Sequence, residues 1–159
     1  MSGIAEGLEA IKVARSGFAA WLEYQRAGRI QITSPRSQGL LEDKQPFVEG
    51  KFSYLVRGKL KRLPTRHEIW LLTQDEGSET AWPQGFSAVQ FDRQSGDWSG
   101  RIGGKPGETV KIVAVVAPPT SVDFFRYYQN ICNQGKEFEP LSRLPVECRN
   151  SDWVQTRFP

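Results

Sequence analysis

The chain has 159 residues, of which 38% are hydrophobic and 11% aromatic, enough to bury a core without metal or disulfide staples. A charged fraction of 25% excludes wholesale disorder, and a net charge of +3 is too small to require a nucleic-acid partner. No apolar run approaches the roughly 20 residues that span a bilayer, and the first residues lack the charged-then-apolar order of a secretion signal. The composition predicts a cytoplasmic chain of one domain plus an appendage.

Residues 1–28 read as an N-terminal amphipathic helix. Ile4, Leu8, Ile11, Phe18 and Leu22 share one stripe at helical spacing, with Ala14 and Trp21 on its flank. Ser2 is suited to cap its start, and Gly28 to end it in a left-handed conformation. Arg15 lies on the stripe and breaks a strict coiled-coil pattern. The stripe predicts packing on the following domain, or association with a partner helix or a second copy. Glu6, Glu9 and Glu23 dilute the polar face that a membrane-surface helix would need.

Residues 29–159 then read as strands separated by turns. Arg29–Thr33 alternates briefly and meets the turn-rich Ser34–Gly39. Phe47–Leu60 alternates well, with Phe52, Tyr54, Val56 and Leu60 on one side and Ser53, Arg57 and Lys59 on the other. Glu68–Thr73 is a further strand, and within it Trp70 alternates with Ile69 and Leu71, so that both faces require a cover. In Ala81–Phe91, Pro83 and Gly85 suit an edge or a bulge. Asp97–Ile102 is a strand bearing Trp98, and Gly103–Gly107 a turn. Glu108–Ala117 is the most β-favouring stretch: Val110, Ile112, Ala114 and Val116 face one way and Val113 and Val115 the other, as in a central strand. Thr120 or Ser121 is placed to cap a second helix that runs to about Asn133, with Val122, Phe125, Tyr128 and Ile131-Cys132 on its apolar side. Trp153, Val154 and Phe158 form a terminal strand. The sum is about seven short strands in an antiparallel β-sandwich, mainly β, with one helix before the last strand.

Few residues carry a chemical signal. His67 is the only histidine, and neither a Gly-x-Ser-x-Gly turn nor a cysteine in a nucleophile context accompanies it. Glu42/Asp43 and Asp75/Glu76 are adjacent carboxylates in polar turns, which supply no raised pKa. Gly103-Gly104-Lys105-Pro106-Gly107 places a lysine among glycines but runs into a strand, without the helix N-terminus that a phosphate loop uses. Cys132 and Cys148 lack metal-ligand spacing and read as free thiols, with a bridge as the alternative. No catalytic, cofactor or metal site is predicted. Arg57, Lys59, Lys61 and Arg62 form the basic cluster, suited either to an anionic partner such as nucleic acid or to protecting a sheet edge. Trp82, beside Pro83, is the tryptophan most suited to an exposed binding anchor.

The order Ile30-Gln31-Ile32-Thr33-Ser34-Pro35, Ile69-Trp70-Leu71-Leu72, Trp82-Pro83-Gln84, Gly96-Asp97-Trp98 and Val110-Lys111-Ile112-Val113-Ala114-Val115-Val116 resembles bacterial immunoglobulin-like or fibronectin-type sandwich domains. Phe124–Phe158 looks like the helix, loop and last strand that close such domains. The resemblance implies that fold and an accessory role in bacterial signalling or defence proteins. The reading is a non-enzymatic protein-interaction or ligand-recognition module, with the N-terminal helix as its association surface. A nucleic-acid-binding protein and a carbohydrate-binding module are the alternatives.

Overall fold

The computed structural model describes residues 28–84, 88–133 and 140–159. In chain order these residues form β1 (Gln31–Ser34), β2 (Glu42–Pro46), β3 (Phe52–Lys59), β4 (Glu68–Asp75), β5 (Trp82–Gln84), β6 (Gln90–Phe91), β7 (Asp97–Gly104) and β8 (Thr109–Ala117). Helix α1 (Pro119–Asn133), β9 (Arg149–Asn150) and β10 (Val154–Arg157) follow. The protein is mainly β, with two antiparallel sheets and one helix among the described residues. The predicted N-terminal helix lies outside them.

In the first sheet β3 is flanked on one side by β7, which carries β6, and on the other by β1 and β2 in succession. The second sheet runs β10-β8-β4-β5, with β9 also paired to β8. Alternation directs Tyr54, Val56, Trp98 and Ile102 of the first sheet onto Ile69, Leu71, Ile112 and Ala114 of the second, and a shared core lies between them. The opposite faces of β4 and β8, carrying Trp70, Leu72, Val113 and Val115, are covered by Val122 and Phe125 of α1. From Ile112 to Ala117 β8 is thus buried on both sides, as the apolar run there predicts. Trp70 finds its cover in Phe125, with ring centroids 5.1 Å apart.

One close approach organises the first sheet. The Trp98 ring lies across Gly58, its cross-strand partner, where a Cβ would stand 2.0 Å from the Gln31 carbonyl oxygen and 2.1 Å from the ring. Only glycine leaves room there. Among the described residues the buried Trp98 Nε1 has no hydrogen-bond partner, a cost of roughly 1–3 kcal/mol set against the burial of the whole indole.

The structure departs from the sequence reading in four places. There are ten strands among the described residues rather than about seven. β2 is exposed throughout and carries no apolar alternation; pairing to the edge of β3 makes it a strand. Phe47–Lys51 therefore forms the turn between β2 and β3, with Lys51 N–H donating to the Val48 carbonyl and Gly50 at φ 73°. Ala81–Phe91 divides into β5 in the second sheet and β6 in the first. Helix α1 begins at Pro119, whose missing N–H costs nothing in a first turn. Ser121 is thereby released from capping, and its hydroxyl donates to Glu147 Oε1 at 2.6 Å. None of the described helices is long and apolar enough to cross a membrane.

Candidate functional site

The β4–β5 hairpin sets the position of Trp82. Trp82 stands opposite Thr73, and Gln84 opposite Leu71, so both side chains point toward the space between the sheets, while Pro83 faces the other way. β5 is an edge strand, where proline disturbs no ladder. At this end of the molecule the β2–β3 turn, the end of β4, the strand β5 and the β7–β8 connection converge. They enclose a trough of about 490 Å³ lined by Trp82, Phe47, Gly103, Gly104, Thr73 and Phe158, among others. That volume falls in the range of small-ligand sites.

The floor depends on a second glycine. A Cβ on Gly104 would meet the Phe158 ring at 2.3 Å, so glycine lets that ring lie against β7, where it also stacks at a tilt on Tyr54 with centroids 5.2 Å apart. Gln84 closes the wall. Its side-chain nitrogen donates to the Thr73 hydroxyl at 3.0 Å, and its oxygen accepts the Gly103 N–H at 3.2 Å. The backbone donor fixes which end of the amide is oxygen.

Lys51, Asp75, Lys105 and Glu108 stand exposed around the mouth, and none is ion-paired with another described residue. The outer face of the first sheet is the reverse. There Arg57 pairs with Glu42 at 2.8 Å, Lys59 with Asp97 at 3.1 Å and Arg101 with Asp43 at 2.8 Å. The hydrogen bond from Lys59 holds the Asp97 carboxyl below its ordinary value. Arg57 and Lys59 of the predicted basic stripe therefore share the exposed face of β3 with carboxylate partners, over a cavity that also bears Asp92 and Asp97. Lys61 and Arg62 lie beyond the strand, in the loop to β4, and are exposed.

Of the other predicted contacts, Ile4, Leu8, Ile11, Phe18 and Leu22 fall outside the described residues, and Trp82 is half-buried in the trough wall. His67 lines a smaller cavity of about 250 Å³ with Glu68, Trp70 and Arg126. Its Nδ1 is 2.9 Å from the Thr65 carbonyl oxygen. Glu68 accepts from Trp70 Nε1 at 3.1 Å and pairs with Arg126, tying β4 to α1. Cys148 is a free, half-buried thiol that burial pushes upward, away from the thiolate. The described residues hold no group of three or more His, Cys, Asp or Glu arranged to take a metal ion.

Sequence reasoning missed Phe47, Lys51, Lys105 and Glu108 as parts of one site. Phe47 and Lys51 read within a strand, Glu108 at the start of another and Lys105 in a turn, and no spacing rule brings such separate segments together. The exposed Phe47-Val48 pair beside a turn was the available signal: Phe47 is 44% and Val48 52% exposed. Compared with known proteins, the chain matches no family model, no curated protein and no solved structure.

Proposed function

We propose that the chain is a non-enzymatic recognition module, an immunoglobulin-like β-sandwich that takes a segment of a protein partner into the trough beside Trp82. The observation that carries this reading is the contrast in charge compensation. Charges on the broad face are spent on neighbours within the chain, whereas among the described residues two cations and two anions around an aromatic-lined mouth are not. Lys51 and Lys105 suit carboxylates, Asp75 and Glu108 suit ammonium or guanidinium groups, and Trp82 and Phe47 suit an apolar side chain between them. A peptide segment offers all three chemistries, while a nucleic acid offers charge of one sign.

Catalysis draws no support from the titratable groups. Asp97 and Glu147 carboxyls are displaced downward, by hydrogen bonds from Lys59 and Ser121 respectively, the opposite of a general acid's displacement. Cys148 is displaced upward, the opposite of an activated nucleophile's.

The test is an NMR titration of the isotopically labelled full chain against a pooled library of short peptides, a glycan panel and a single-stranded oligonucleotide. The expected result is a peptide-induced shift of the Thr73, Gln84, Gly103 and Gly104 amides that Trp82→Ala abolishes while the remaining spectrum is kept. A response to glycans alone moves the reading to carbohydrate recognition. A salt-steep response at Arg57 and Lys59 to the oligonucleotide moves it to nucleic acid.

A further inference from the structure

The start of β4 holds more polar chemistry than a strand end needs. Alternation sends Ile69 into the core between the sheets, and Glu68 and Trp70 to the side that α1 covers. Glu68 and Trp70 therefore stand side by side. Trp70 Nε1 donates to Glu68 Oε2 at 3.1 Å, and Arg126 of α1 pairs with Oε1. Each oxygen of the carboxylate has a donor, which fixes it in place. Arg126 keeps spare capacity. A guanidinium has five N–H donors in one plane, and among the described residues only its Nη2 is engaged, on Glu68. The result is a donor edge beside an acceptor, with no net charge.

This pair lines the cavity of about 250 Å³ that His67 also borders. Leu63, Ile69 and Val89 give the same cavity an apolar part, continuous with the core. Its volume lies below the roughly 300–1,000 Å³ of drug-sized sites, which suits a single ring with one substituent. Gln84 lines this cavity and the trough alike, and its amide is committed to Thr73 and Gly103. The two cavities thus share a fixed wall.

We infer that this cavity is a second ligand site, for a small neutral molecule with a planar apolar body and an amide-type edge. Charge decides the class. A ligand carboxylate would gain Arg126 but lie against Glu68, and a ligand ammonium would gain Glu68 but lie against Arg126. Either leaves one uncompensated charge in a half-enclosed site. An amide or lactam carries an acceptor next to a donor, which complements the remaining Arg126 N–H groups and the remaining lone pairs of Glu68. The ring then displaces water from Leu63, Ile69 and Val89. Because Glu68 is fixed before the ligand arrives, little side-chain freedom is lost on binding. This inference does not rest on the reading of the trough.

The experiment titrates three probes of one shape, benzamide, benzoate and benzylamine, into the isotopically labelled full chain. The readout is the Trp70 indole N–H resonance, assigned with Trp70→Phe, together with the Glu68 and Ile69 amides. Benzamide is expected to give a saturable shift, and each charged probe to bind about tenfold more weakly. No saturable benzamide shift up to its solubility limit overturns the inference, and so does a charged probe that binds as tightly as benzamide. Arg126→Leu, at an exposed position of α1, is expected to weaken benzamide about tenfold with the rest of the spectrum kept; unchanged affinity overturns the inference. Glu68→Gln keeps an acceptor for Trp70 and leaves Arg126 uncompensated, so the preference should reverse toward benzoate. If the pair only ties α1 to β4, that variant weakens all three probes alike, and the inference falls. Trp82→Ala, in the trough, should leave benzamide binding as it is; loss of binding there places the probe in the trough and overturns the assignment.

Discussion

The outer faces of the two sheets solve the same problem in opposite ways. The second sheet presents Trp70, Leu72, Val113 and Val115 and hides them under α1. The first presents Arg57, Lys59, Asp97 and Arg101 and pairs them within the sheet, Arg57 with Glu42, Lys59 with Asp97 and Arg101 with Asp43. Burial of apolar area is non-directional and large per residue; exposed ion pairs are directional and small. The second sheet should therefore contribute most of the stability, and the first should contribute order at its edge. Arg101 is the exception on the exposed face, because its side chain is only 17% exposed. It donates to the Ser53 hydroxyl at 3.0 Å, to the Ser53 carbonyl at 3.1 Å and to Asp43, and so fastens the otherwise exposed β2 to the sheet.

That contrast breaks most visibly at Phe125, which is fully buried. Phe125→Ala is expected to cost about 3–5 kcal/mol, read from urea unfolding, and to expose Trp70 to solvent. A loss below about 1 kcal/mol, the level of a surface ion pair, would erase the distinction between the faces. Arg101→Leu comes next, at about 1.5–3 kcal/mol, with faster amide exchange across Glu42–Pro46 and little change in β8. If exchange rose equally in β8, Arg101 would be part of the global fold rather than a fastening for one strand. The smallest effect is at Lys59. Lys59→Ala should change stability least of the three, because an exposed pair is screened by water, and the change should shrink further in salt. The sign with pH follows from Asp97. Its folded-state carboxyl is held down by Lys59, so its contribution is present above the unfolded value near 3.9 and disappears as pH falls through the folded one. In Lys59→Ala the Asp97 titration followed by NMR should move back up toward the ordinary value.

These faces were unequally legible in the sequence. The inward alternation of Tyr54 and Val56, the two-sided burial of Ile112–Val116 and the need for a cover on Trp70 all follow from period-2 patterning, because side chains on a strand must alternate. β2 was not legible, since Glu42–Pro46 owes its conformation to β3 and to Arg101 rather than to its own residues. The site was legible only at Trp82. Its neighbours Phe47 and Lys105 lie far from it in the chain and meet it through sheet stacking, which local pattern does not encode. The basic stripe was visible as charge, but its compensation depends on which carboxylates the register of β3 against β2 and β7 sets opposite it.

Gln84 carries one further consequence. Two sheets held only by apolar contact resist separation far better than they resist sliding, because such contact has no preferred offset at the scale of one side chain. The Gln84 amide, bonded at one end to Thr73 of its own sheet and at the other to the Gly103 N–H of the facing one, acts as a pin against shear. Since Gln84, Thr73 and Gly103 all line the trough, the shape of the mouth is tied to the relative offset of the two layers. A guest that pulled on that amide would be felt as a displacement of one whole sheet over the other.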